Sequence, residues 1–86
     1  MRIEKKVWPE LFKEVASGNK TFEVRLDDFT CKPGDTLVLR EWDPKTKQYT
    51  GASLEKQVGF VLKLKDVKFF SDEDVKKFGY QVISLR

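Results

Sequence analysis

Apolar positions along this chain follow two rhythms. Between residues 8 and 16 they recur at Trp8, Leu11, Phe12, Val15 and Ala16, the i, i+3, i+4, i+7, i+8 spacing of a one-sided helix. Pro9 suits the first helical position, Glu10 sits where the helix dipole favours an acid, and Gly18 supplies a stop. The spacing therefore predicts a helix over 9–17, with RIEKKV at 2–7 as a short strand before it. After the helix the rhythm becomes twofold. In GNKTFEVR, residues 18–25, Phe22 and Val24 fall on one side and Thr21, Glu23 and Arg25 on the other, with Lys20 sharing the apolar parity. This predicts a strand over 19–26.

Lys32-Pro33-Gly34-Asp35 has the chemistry of a type II turn and leads into TLVLREW, a strand over 36–42. Asp43-Pro44 breaks that strand, and KTKQYTG reads as a polar loop. Val58, Phe60, Leu62 and Leu64 alternate with mostly polar neighbours, which predicts a long strand over 54–65 with a bulge or bend at Gly59. SDEDVKKFG reads as a helix over 71–77, with Ser71 as N-cap, Asp74 at the capping-box position and Gly79 as terminator. YQVISL closes the chain as a strand over 80–85. The order β-α-β-β-β-α-β, with strands in the majority, predicts an α+β or mainly β fold: a small barrel with one or two flanking helices. Its expected core is Leu11, Val15, Phe22, Val24, Leu37, Leu39, Phe60, Leu62 and Ile83, with Trp8 inside at the start of the helical stripe.

Length sharpens this picture. Eighty-six residues make one domain, 1–86, and a chain so short buries only about 60% of its unfolded surface, which favours an economical closed barrel. No apolar run approaches the ~20 residues of a membrane span, and MRIEKKVWPE lacks the apolar core of a signal peptide, so a cytoplasmic location without a membrane partner is expected. Cys31 is the only cysteine, which excludes an internal disulfide. The absence of histidine excludes imidazole-based triads and the usual zinc sites, and neither metal nor cofactor is expected. A net charge of +3 is compatible with a polyanionic partner.

Candidate chemistry gathers in two places. Lys20, Glu23 and Arg25 cluster at the first helix-to-strand junction. Taken alone, Glu23 and Arg25 are a same-face pair on a half-exposed strand. Arg40 and Trp42 share a face of the strand over 36–42 and offer a cation beside a stacking ring, or equally a packed barrel aromatic with a flanking charge. Tyr49 is a further stacking candidate.

The stretch Gly18-x-Lys20-x-x-Glu23-x-Arg25 resembles the G-x-K-x-x-E-x-R signature of the ASCH family, within the PUA-like superfamily. WPELF at 8–12, KPGDTLVLREWD at 32–43 and the terminal YQVISL resemble a small, mostly bacterial and phage-associated ASCH-like subfamily of unassigned function. That subfamily often has a histidine near the N-terminus, where this chain has Ile3. The resemblance implies a PUA-like pseudobarrel and a cleft beside the first helix lined by the signature residues. It also implies a role in binding RNA or a modified nucleoside or nucleotide through Lys20, Glu23 and Arg25, and the chemistry of Arg40 and Trp42 adds those two to the binding set. Some small ASCH proteins are amidohydrolases that deacylate modified cytidines with a lysine at the Lys20 position. An enzyme of that kind would use Lys20 as nucleophile or base, assisted by Glu23. Those enzymes carry threonine where this chain has Glu23, so binding without turnover is the favoured expectation. A protein-interaction domain is the third reading.

Overall fold

The structure, a computed structural model, describes residues 1–85. Its framework is an open three-stranded sheet in the order β1-β2-β3, formed by β1 (Arg2–Val7), β2 (Thr36–Asp43) and β3 (Gln48–Gln57). β1 and β2 are parallel, with Ile3 opposite Leu37 and Val7 opposite Glu41, so the chain between them must cross over. That connection contains helix α1 (Pro9–Ala16), which packs on β2. β2 and β3 form an antiparallel hairpin closed by Pro44–Lys47, where Lys47 N–H donates to the Asp43 carbonyl at 2.7 Å. A short helix α2 (Asp72–Phe78) follows, and its Ser71 hydroxyl accepts from Asp74 N–H as the capping pattern predicts.

The core is compact. Val7, Val15 and Leu39 form its buried centre, with Phe12, Leu37 and Leu54 packed against it. Parity explains the membership: Ile3, Val7, Leu37 and Leu39 fall on the sheet face that α1 covers, while Arg2, Glu4, Lys6, Val38 and Arg40 take the other.

The fold class is α+β, and the strands over 2–7 and 36–42 and both helices lie where the pattern put them. Three strands differ. Residues 19–26 and 80–85 form no ladder, and the long strand over 54–65 is displaced to 48–57, so the described residues form an open sheet and no closed barrel. In consequence Leu11, Val24, Phe60, Leu62 and Ile83 are exposed where core positions were expected, and Trp8 is 53% exposed. The displacement of β3 has a local cause. Pro44–Lys47 suffices to turn the chain, so Gln48 pairs with Asp43 at once and the polar run QYTGASLEKQ becomes the strand. The bulge lies at Gly51 and not Gly59: Thr50, Gly51 and Ala52 stand opposite Glu41 alone, and Gly51 has φ 97°, a conformation that side chains disfavour.

A buried acid ties the sheet together. Asp35, 4% exposed, accepts from the Met1 ammonium at 3.1 Å and from Lys32 N–H at 3.0 Å, while its own carbonyl accepts from Val58 N–H. The Met1 ammonium and then the Lys32 N–H hold its carboxyl below the usual carboxylate value. Arg2 does the same for Glu55 and Lys63 for Asp27 at the surface. A depressed folded pKa contributes stability that is complete above the unfolded value of about 3.9 and is lost as pH falls through the lower folded value. Thermal unfolding followed by circular dichroism should therefore change little from pH 7 to 5 and fall steeply below about pH 4. Asp35→Asn should lower the midpoint at pH 7 and flatten the acid limb; an unchanged acid limb would refute this role.

Candidate functional site

The site begins where α1 ends. Ser17 N–H still reaches the Lys13 carbonyl, but Gly18, at φ 82°, donates to Val15 and reverses the chain. The reversal returns Lys20 N–H to the Glu14 carbonyl at 2.9 Å, satisfying one of the acceptors a helix end leaves open. Asn19 then reaches the Glu14 carboxylate through Nδ2 at 2.7 Å.

From this corner the three motif side chains converge. Lys20 Nζ donates to Glu23 Oε1 at 2.8 Å and to the Phe22 carbonyl at 2.7 Å, and lies 4.7 Å from the Phe22 ring centroid. Arg25 Nε donates to Glu23 Oε2 at 2.9 Å, and its Nη2 reaches the Lys6 carbonyl at 2.8 Å. One carboxylate is thus clamped between two cations, with the Lys20, Glu23 and Arg25 side chains 12%, 18% and 29% exposed. A regular strand would send residues 20 and 23 to opposite faces. The contact exists because Lys20 captures the Phe22 carbonyl, a group that a sheet ladder would otherwise use.

These residues line an open cleft of about 670 Å³ whose apolar wall includes Trp8, Leu11, Phe22 and Val24. The C-terminal segment meets it through Ser84 Oγ, which donates to the Asn19 carbonyl at 2.9 Å. Arg40 and Trp42 do not line the cleft. They lie half-buried on the sheet face away from α1, where Arg40 pairs with Glu4 at 3.3 Å and sits 3.9 Å from the Tyr49 ring centroid. Trp42 connects to the cleft indirectly, because Lys6 Nζ stands 4.5 Å from its ring centroid and Lys6 is itself a lining residue. The ring in the cleft is Trp8, which sequence reasoning assigned to the core. Its position one residue before Pro9 was the available signal: the helix starts after it, so the helical stripe does not govern its direction.

Chemically the clamp sets two cations and one carboxylate side by side at the cleft. Arg25 presents a planar fork, and Lys20 has committed two of its three donors. Glu23 retains lone pairs for a further donor. No group of three His, Cys, Asp or Glu residues suited to a metal ion occurs among the described residues, and none of their helices is long and apolar enough to cross a membrane.

The fold and cleft define a small α+β domain with a cation-clamped glutamate at the end of its first helix. The chain belongs to the family described as "Domain of unknown function (DUF3850)", whose model matches residues 4–82. No curated protein and no solved structure matches it.

Proposed function

We propose that this domain is a binding module of the ASCH, PUA-like type, which holds RNA or a modified nucleoside in the cleft beside α1 without turning it over. The observation that carries the reading is the Glu23 carboxylate fixed between Lys20 and Arg25 in a cleft walled by the exposed ring of Trp8. A base stacks on an aromatic face, Arg or Lys meets a phosphate or a ring acceptor, and a carboxylate accepts from an exocyclic amine. A volume of about 670 Å³ is in the range of small-ligand sites. The amidohydrolase alternative is weaker. Lys20 donates to both the Phe22 carbonyl and Glu23, so its amine is engaged as a donor and not presented to an acyl carbon.

A thermal-shift screen across nucleosides, modified nucleosides, nucleotides and short oligoribonucleotides tests the proposal. A ligand at about 100-fold over its Kd should add ~2.7 kcal/mol of stability. Trp8→Ala should weaken that ligand by ~1–3 kcal/mol through lost stacking. No shift with any member of the panel would sink the reading, and deacylation abolished by Lys20→Ala would replace it with the enzyme.

A further inference from the structure

The sheet face away from α1 carries a second cluster that meets the cleft only at Lys6. In the β2–β3 register Trp42 is directly opposite Tyr49, and in the β1–β2 register Lys6 is opposite Arg40. Each ring has a cation on it: Lys6 Nζ stands 4.5 Å from the Trp42 centroid and Arg40 3.9 Å from that of Tyr49. Arg and Lys held against aromatic rings on an open strand face form a surface on which unpaired bases stack and phosphates are neutralised. Tyr49 is 43% exposed.

Charge distinguishes the members. Among the cations of this face, Arg2 pairs with Glu55 and Arg40 with Glu4, whereas Lys6 makes no ion pair among the described residues. Lys6 is also where the two regions meet. Its carbonyl accepts from Arg25 of the clamp, it lines the cleft, and its ammonium lies over Trp42. Adjacent strands lie about 4.8 Å apart, so the path from β1 to Tyr49 on β3 is about 10 Å. A short single strand spans that distance, while a lone nucleoside in the cleft does not.

Resting on the binding reading above, we propose that the site continues from the cleft over the sheet face by way of Lys6. Its ligand is then a single-stranded polynucleotide, with one base against Trp8, a linking phosphate at Lys6 and the next base on the Trp42–Tyr49 pair.

The test is fluorescence anisotropy with mixed-sequence oligoribonucleotides of two, three and six nucleotides and a matching DNA hexamer. Calorimetry with the four ribonucleoside 5′-monophosphates runs beside it. Affinity should rise from the monophosphates to the trimer. Tyr49→Ala should weaken the hexamer roughly 5- to 150-fold, the span of one lost stacking contact, and leave the monophosphates unchanged. Lys6→Gln should reduce the salt slope of hexamer binding by about one phosphate, and Arg25→Ala should weaken every ligand. Arg40→Gln, at a side chain 42% exposed that turns away from the α1-covered core, removes the cation on the Tyr49 ring and repeats the test should Tyr49→Ala fold poorly. A DNA hexamer bound as tightly as RNA supports the proposal in its general form, and RNA preference narrows it to RNA. If monophosphate and hexamer bind equally and neither Tyr49→Ala nor Arg40→Gln changes the hexamer, the extension is wrong while the cleft reading stands. If hexamer binding ignores Arg25→Ala, or nothing binds, both fall.

Discussion

Replacing Leu39 with alanine should cost about 2–5 kcal/mol of stability, the largest effect expected of any single truncation in this chain. Leu39 is 1% exposed and lies at the centre of β2, between Lys5 of β1 and Leu54 of β3 in the register and beneath α1. Nothing nearby can refill the space, because Val7 and Val15 are themselves fixed in the same cluster. At roughly 0.05–0.15 kcal/mol per residue the whole domain has a stability of roughly 4–13 kcal/mol, so the variant stands near its unfolding threshold. Phe60→Ala is the informative companion. Phe60 is 80% exposed, and its loss should stay within about 0.5 kcal/mol. Urea unfolding of both variants decides the matter: comparable losses would mean that Phe60 is packed and the core extends beyond the sheet–helix contact.

The second large effect belongs to the clamp. Glu23→Gln removes the one anion that Lys20 and Arg25 share; the amide keeps a single acceptor oxygen, so one of the two cations is left with a backbone carbonyl alone and faces its like-charged neighbour without a counter-charge. A loss of about 1–3 kcal/mol is expected for stranding such donors, larger at low salt because the exposed portion of the repulsion is screened. Adding Arg25→Gln should restore part of this, since the remaining lysine then faces a neutral neighbour. A double-mutant cycle read by urea unfolding should give a coupling above about 0.5 kcal/mol. Simple additivity would show that the three side chains meet without depending on one another.

The two experiments also separate what the sequence could and could not reveal. Lys20, Glu23 and Arg25 were legible through the spacing of the G-x-K-x-x-E-x-R signature and not through periodicity, since a strand over 19–26 would have set Lys20 and Glu23 on opposite faces. Helix α1 was legible because its apolar stripe marks a period, and β2 because a short apolar run, Leu37–Leu39, stands between the turn at 32–35 and the break at Asp43-Pro44. β3 carried no such mark. Only Leu54 among its residues is even half-buried, so its alternation is invisible and the more apolar run at 58–64 looked like the strand. Alternation at Val58, Phe60, Leu62 and Leu64 reports a preference for extended chain; pairing also requires a neighbour's free edge, which single-sequence periodicity does not encode. Trp8 was misplaced for a related reason, because spacing alone does not say where a helix begins.

The kink at Gly51 has a bearing on how this molecule behaves in a crowd. As one of the two edge strands of the described sheet, β3 offers a row of backbone donors and acceptors that a strand from another molecule can join, the first step towards fibrillar self-association. Gly51 divides that row into two short runs, 48–49 and 53–57, and turns the backbone out of register between them. An incoming strand thus meets no continuous flat template. The second run contains Glu55 and Lys56, which in-register stacking of identical copies would set like charge on like charge. The irregularity that makes this strand hard to recognise is also what keeps its edge from recruiting another like it.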